Sequence, residues 1–284
     1  MARRENEFEP IPLDPRVERA VLWLRKHVPG ADSALLALER ETTAGGTLIA
    51  GGLAYRLFLW LLPFGLVVAA IASFWPNNVE GSADDLGMSA ESAHTMTEVI
   101  EESSRDHWYF LAVGLFFLLW FGIGVARALR VAHTVAWGVQ RQRFRRPVHG
   151  SVVFTLFATA LIATPVLLQW AREALGVGGL IATIAIVALY AAGALWMMLL
   201  LPHPPEVRWT DLLPGAVLVG VGIEGLHLFA ALYLVPRLGR SDELYGSLGA
   251  ATVLLLWLYI IARLITLSAF LNATRWQRRH GELA

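Results

Sequence analysis

Cysteine is missing from all 284 residues, which excludes disulfides, thiolate nucleophiles, Cys-type zinc sites and iron–sulfur clusters. Lysine is nearly missing as well: Lys26 is the only one among 23 basic residues. Charge of either sign is scarce at 16% of the chain, and 23 basic groups balance 23 acidic ones, so no global field points to nucleic acid. Also lacking are the D-x-D, H-x-H and H-E-x-x-H spacings that would gather a catalytic metal. The stretch MARRENEFEPIPLDP is polar and has no apolar core ahead of a small-residue cleavage site. It does not read as a secretory signal, and the first hydrophobic run is expected to stay in the protein.

What fills the chain instead is apolar: 56% of residues are hydrophobic and the mean hydropathy is +0.54. These values belong to a membrane protein. A helix needs about 20 apolar residues to cross the hydrocarbon, and six stretches reach that length: 47–74, 108–126, 152–170, 178–201, 212–235 and 245–271. The expected fold is all-α, a polytopic membrane protein with six transmembrane helices. Its parts are a cytoplasmic segment 1–46, a membrane domain 47–271 with an outer acidic loop 75–107, and a basic cytoplasmic tail 272–284.

Orientation follows from the basic residues, which are retained on the cytoplasmic side. Segments 1–46, 127–151, 202–211 and 272–284 hold 17 of them, and the alternate loops hold only Arg105, Arg172, Arg237 and Arg240. Both termini are therefore expected in the cytoplasm. Trp75, Trp108 and Trp170 fall at outer span ends and Trp209 and Trp276 at inner ends, as interfacial indoles do. Val17, Ala20, Val21, Leu24 and Val28 recur at helical spacing among charges, which suits either a helix in the headgroup layer or a cytosolic one. The cluster Arg141, Arg143, Arg145 and Arg146 is expected to meet anionic lipid headgroups rather than RNA. The acidic stretch of loop 75–107 reads as a lid or a solvated cap.

A charge inside a bilayer costs several kcal/mol, on the order of 3, unless it is paired or hydrated. Three lie within the spans: Arg56, Glu224 and Arg263. Helical rise sets their depths within side-chain reach, so one reading gathers them into a cluster with surplus positive charge that favours an anionic group. The other is one structural ion pair plus an Arg snorkelling to the cytoplasmic edge. Glu224 and His227 share a helix face, a spacing compatible with a metal ligand pair, a proton-coupling pair or plain interhelical hydrogen bonding. No second copy of that pair occurs, so no metal and no other cofactor is expected. In the sixth span Tyr245, Gly249, Thr252, Leu256, Tyr259, Arg263, Thr266 and Phe270 recur at steps of four and three. That stripe is too polar to face lipid, and it should meet other helices or line a hydrated path. Gly215, Ala216, Gly220, Gly222 and Gly225 permit close approach along the fifth span. Pro63 removes one hydrogen bond from the first span and releases the Leu59 carbonyl, so a kink is expected there.

Three stretches resemble the YihY/BrkB family of inner-membrane proteins: LAYRLFLWLLPF (53–64), LPHPPEVRWTDLLPGAVLVGVGIEGLHLFAALYL (201–234) and YGSLGAATVLLLWLYIIARLITLSAFLNA (245–273). The resemblance covers about residues 20–275 and implies a multi-pass protein of the bacterial inner membrane, of a family long labelled ribonuclease BN in what is now regarded as a misassignment. It also implies transport of lipid-like or other small amphiphilic molecules, as suggested for relatives. Against the family pattern, Arg56 stands in place of the second Tyr of LAYY, Arg263 where an aliphatic residue is usual, and Phe270 at the position of the glutamate in GAELNA. The function expected is thus a transporter or flippase-like protein for a small anionic or amphiphilic molecule, with a path between the first, fifth and sixth spans. A structural or assembly subunit is the alternative that needs no pathway, and a homo-oligomer is compatible with either reading. A ribonuclease or lipid-modifying enzyme is the least favoured reading.

Overall fold

A computed structural model describes residues 30–72, 107–140, 147–175, 179–229 and 242–281, with Arg19, Trp23 and His27; the side chains of 107, 161, 163–180, 182 and 242–250 are not part of that description. Seven helices make up the described chain: α1 (Ala31–Thr43), α2 (Gly46–Ala72), α3 (His107–Trp137), α4 (Pro147–Leu175), α5 (Gly179–Leu200), α6 (Trp209–Phe229) and α7 (Asp242–Arg279). Among the described residues there is no strand. Five helical stretches are long and apolar enough to cross a membrane: Gly46–Ile71, Trp108–Trp137, Thr183–Leu200, Trp209–Phe229 and Ala251–Arg279. Within α4 the described apolar stretch is Pro147–Ala160. The expected lid in loop 75–107, the headgroup helix around 17–28 and the Arg141–Arg146 cluster fall outside the described residues, apart from single positions in the second.

The long helices form a closed ring. In chain order α2 packs on α3, α3 on α4, α4 on α5, α5 on α6, α6 on α7, and α7 returns to α2; α3 also touches α7 across the ring. Lipid tails are as apolar as leucine, so burial alone does not hold such helices together, and small residues and polar bonds do. Gly220 lets α6 approach the Val187 carbonyl of α5, where an added Cβ would sit 2.8 Å from the oxygen. Ser151 of α4 donates to the Leu119 carbonyl of α3 at 2.9 Å, and Trp60 Nε1 of α2 donates to Thr155 of α4 at 3.3 Å. The outer face remains apolar: Leu48, Trp120, Leu156 and Ile184 are all exposed, as lipid-facing side chains are.

Several helices outrun the boundaries expected from hydropathy, α3 and α7 furthest. The second span ends at 126 by hydropathy, whereas α3 continues to Trp137. The last ends at 271 by hydropathy, whereas α7 continues to Arg279. The reason is that hydropathy marks the membrane edge, whereas helix propensity, high for Arg, Ala, Gln and Leu, marks the helix end. Residues 272–279 are therefore no loose tail; Asn272, Ala273, Thr274 and Trp276 are buried. At the other end of the chain, Ala44 and Gly45 turn α1 into α2, with Gly45 at φ 73°, a left-handed conformation suited to glycine. That turn lays α1 along the extension of α7. Arg278 Nη1 reaches Asp32 at 2.7 Å and Arg40 Nη1 donates to Thr274 Oγ1 at 2.7 Å.

The PGA and LNA stretches meet. Asn272 Oδ1 accepts from the Gly215 amide at 2.7 Å, and its Nδ2 donates to the Leu212 carbonyl at 3.0 Å. Pro214 has no N–H and interrupts the ladder of α6 at this turn, so one side-chain amide of α7 serves a donor and an acceptor beside the break.

Candidate functional site

A cavity of about 320 Å³ lies inside the ring. Leu53, Leu57, Trp60 and Leu61 of α2, Phe154, Phe157 and Ile162 of α4, Met197 and Met198 of α5, Val219 and Ile223 of α6, and Leu258 and Ile265 of α7 contribute to its wall. Among the described residues four of the lining carry a polar ring atom or hydroxyl: Trp60, whose Nε1 is already bonded to Thr155, and His133, Tyr190 and His227. Among the described residues no Arg or Lys lines it. On α2 the lining runs from Leu53 to Leu61, and on α5 from Tyr190 to Met198 with Leu201 just past the helix end. At 1.5 Å per residue this lining spans about 12–16 Å along the helices.

On the cavity wall α6 presents His227, and Glu224 lies three residues before it on the same helix face but is not part of the lining. His227 Nδ1 stands 3.7 Å from Glu224 Oε2, and the carboxylate is buried while the imidazole is partly open. Tyr190 of α5, fully buried, places its hydroxyl 3.5 Å from the same Nδ1. These are loose contacts of one chain, Tyr190 to His227 to Glu224, and they tighten only with small side-chain movement. At the other end stands His133, one turn before the end of α3. Its Nδ1 lies 3.1 Å from the Leu129 carbonyl. A carbonyl only accepts, so Nδ1 carries the proton, and in the neutral ring Nε2 is then a bare acceptor. That Nε2 is buried and has no partner among the described residues.

Arg263 has a different partner from the one its depth suggests. Its Nη2 lies 3.1 Å from Oε2 of Glu41 and its Nη1 donates to Thr47 Oγ1 at 2.8 Å. Glu41 belongs to α1, outside the spans, and is completely buried. The guanidinium is near enough to pair in charge but is off the angle for a hydrogen bond, so both carboxylate oxygens lack a donor among the described residues. Burial raises the Glu41 pKa above the ordinary glutamate value, and the Arg263 charge pulls it partly back. Beside it, burial lowers the Arg40 pKa. Gly46 makes room for Glu41: a Cβ there would come within 2.5 Å of Glu41 Cγ.

The expected cluster of Arg56, Glu224 and Arg263 is thus not what the side chains form. Arg263 faces α1 because α7 extends past the membrane edge and lays that register against the first two helices. Arg56 is exposed on α2, with Nη1 over the notch left by Gly124 of α3, where a Cβ would lie 2.9 Å away. No carboxylate among the described residues pairs with it. Tyr259 is half-buried and packs against the core that includes Leu53, Trp60 and Ala262. Thr252 is exposed. Tyr245 lies in α7, but its side chain is outside the described residues. Helix α2 is continuous through Pro63. Thr266 turns back to the Ala262 carbonyl at 2.8 Å, and Phe270 is buried with Ala136, Trp137 and Ala273.

Three residues escaped the sequence reasoning. Glu41 precedes the first apolar run and so carries no hydropathy signal, although its spacing from Gly46 and Thr47 places it one turn outside. Tyr190 is a single hydroxyl in an apolar run, and His133 lies past the expected end of its span. Among the described residues, no three His, Asp or Glu side chains gather as a metal-binding group.

A family model described as virulence factor BrkB matches residues 37–284. No curated protein and no solved structure matches the chain.

Proposed function

The chain belongs to the BrkB virulence factor family and is a membrane protein with several apolar helices, and from that premise we propose that it is a transporter or flippase-like protein for a small amphiphilic, lipid-like molecule. The observation that carries this reading is the cavity lined by all six long helices. An apolar interior with a few fixed polar groups is how proteins hold small amphiphiles, and a volume of a few hundred Å³ is of the usual size. Of the two substrate classes, anionic and amphiphilic, the second fits better, because the two intramembrane arginines stand away from the cavity wall. The protein moves its passenger without altering it covalently.

In this reading α4 is the sixth span, the protein lies in the bacterial inner membrane, and both termini are cytoplasmic. Arg141, Arg143, Arg145 and Arg146 then sit beside anionic headgroups. His227 and Tyr190, with Glu224 beside His227, offer the moving molecule polar contact at one level of an otherwise greasy path.

The test is reconstitution in liposomes with a lipid-scrambling and amphiphile-uptake screen. Wild type is expected to accelerate movement of at least one probe, and Ala194→Trp, which fills the cavity from its buried wall, is expected to abolish it. Equal rates for wild type, Ala194→Trp and empty liposomes across all probes would remove the transport reading.

A further inference from the structure

We propose that the lipid-facing groove between α2 and α3 binds an anionic phospholipid, its phosphate held between Arg56 and Arg127. The two helices run antiparallel, since Gly114 of α3 meets Val67 of α2 and Gly124 meets Arg56. Helical side chains lean toward the N-terminal end of their own helix. Arg56 therefore leans toward Gly46, and Arg127, three residues past Gly124 on the same face, leans back over Gly124. Both arginines are exposed, and neither lines the cavity. Neither has a hydrogen-bond or ion-pair partner among the described residues, and α2 and α3 contain no Asp or Glu that could supply one.

Two guanidiniums on one groove at the membrane edge call for a counter-charge, and lipid phosphate is the anion found at that level. Gly124 lies two residues inside the edge that hydropathy sets at 126, about 3 Å at helical rise. Having no side chain, it lets the Arg56 guanidinium settle against α3; a Cβ there would stand 2.9 Å from Nη1. Guanidinium forks match phosphate oxygens two at a time. Deeper along the same face of α3, Trp120 and Phe116 are exposed and stacked with ring centroids 6.2 Å apart, an apolar track for an acyl chain. Other occupants fit less well. A second copy of the chain brings no acid, because Glu224, the one acid inside the spans, is buried on α6. A zwitterionic lipid sets a cation of its own against two guanidiniums. Free phosphate would have to leave water for a groove walled by lipid. The leaflet is the cytoplasmic one in the orientation proposed above, but the site depends neither on that orientation nor on what the cavity carries.

Trp120 reports on the site through bromine quenching, and Trp196 of α5, also exposed and separated from α3 by α4, is its control. The full-length protein in nanodiscs is titrated with brominated phosphatidylglycerol and with brominated phosphatidylcholine, and Trp120→Phe and Trp196→Phe isolate the quenching of each indole. Phosphatidylglycerol is expected to be favoured about tenfold at Trp120 and to show no such preference at Trp196. Arg56→Gln combined with Arg127→Gln is expected to bring Trp120 down to the ratio at Trp196. Equal ratios at the two indoles of wild type would overturn the site, as would a preference that survives in the double variant. Trp120 shielded from both lipids would put a second copy of the chain on the groove and overturn it too. Loss of the preference on adding inorganic phosphate, beyond the effect of chloride at the same ionic strength, would overturn a lipid as the ligand. Should the double variant fail to fold, the wild-type comparison of the two indoles decides alone.

Discussion

At Gly215 the helices α6 and α7 touch backbone to side chain. A Cβ there would stand 2.5 Å from Asn272 Nδ2, which is bonded to the Leu212 carbonyl, and 2.6 Å from the backbone carbonyl of Ser268. Gly215→Ala is therefore expected to push Asn272 off its two bonds and cost about 1–3 kcal/mol. Thermal unfolding of the purified protein, followed by tryptophan fluorescence, checks it. Gly225→Ala is the control, since nothing lies within 4 Å of that position, and helix propensity alone makes it neutral or stabilising by up to about 1 kcal/mol. A reversed order of the two variants would deny the contact. Both glycines looked alike in the sequence, as small residues of one span. Which of them meets a neighbour depends on helix rotation, and that is set by partners the local sequence does not name. The same holds for charge: the depths of Arg56, Glu224 and Arg263 were legible, but their azimuths were not, so the pairing of Arg263 with Glu41 emerged only from packing.

Helix α1 is fastened to α7 by contacts of unequal weight. The Arg278–Asp32 pair is partly exposed and worth little, about 0–1 kcal/mol. Glu41 is fully buried, whereas Arg263 keeps about a quarter of its side chain exposed. Removing the arginine should then hurt more than neutralising the acid: Arg263→Leu leaves a buried carboxylate uncompensated and is expected to cost up to about 3 kcal/mol, with Glu41→Gln milder. Midpoints of thermal unfolding for the two variants provide the comparison, and equal losses would place the two side chains in equivalent surroundings. The raised pKa of Glu41 adds a pH signature. The folded protein holds that proton more tightly than the unfolded chain, so stability present below the ordinary glutamate pKa is lost as pH rises through the raised value. Glu41→Gln is expected to flatten that part of the profile, and a wild-type slope retained in the variant would assign it to another group. The existence of each long helix was legible because twenty apolar residues admit few alternatives. The ends of α3 and α7 were not, since a helix that leaves the membrane keeps its hydrogen bonds while losing its hydropathy.

Six helices are needed to close the ring, and α4 is the one on which the topology turns. It supplies Phe154, Phe157, Ala158 and Ile162 to the cavity, so without it the wall between α3 and α5 is open. The cavity itself was not legible, because it is the space left when six faces meet and belongs to no single stretch of sequence. The crossing of α4 can be tested simply, because the chain has no cysteine and each introduced thiol is unique. With both ends of the chain inside and six crossings, Trp108→Cys at the start of α3 is expected to react with an impermeant maleimide in intact cells. Glu206→Cys, in the connection between α5 and α6, and Gly281→Cys, beyond α7, are expected to react only after permeabilisation. The middle position carries the argument. If α4 lay on the surface, α5 and α6 would each cross in the opposite sense, and Glu206→Cys would label from the same side as Trp108→Cys. Label on Glu206→Cys in intact cells would therefore reduce the protein to five crossings and open the ring that encloses the cavity.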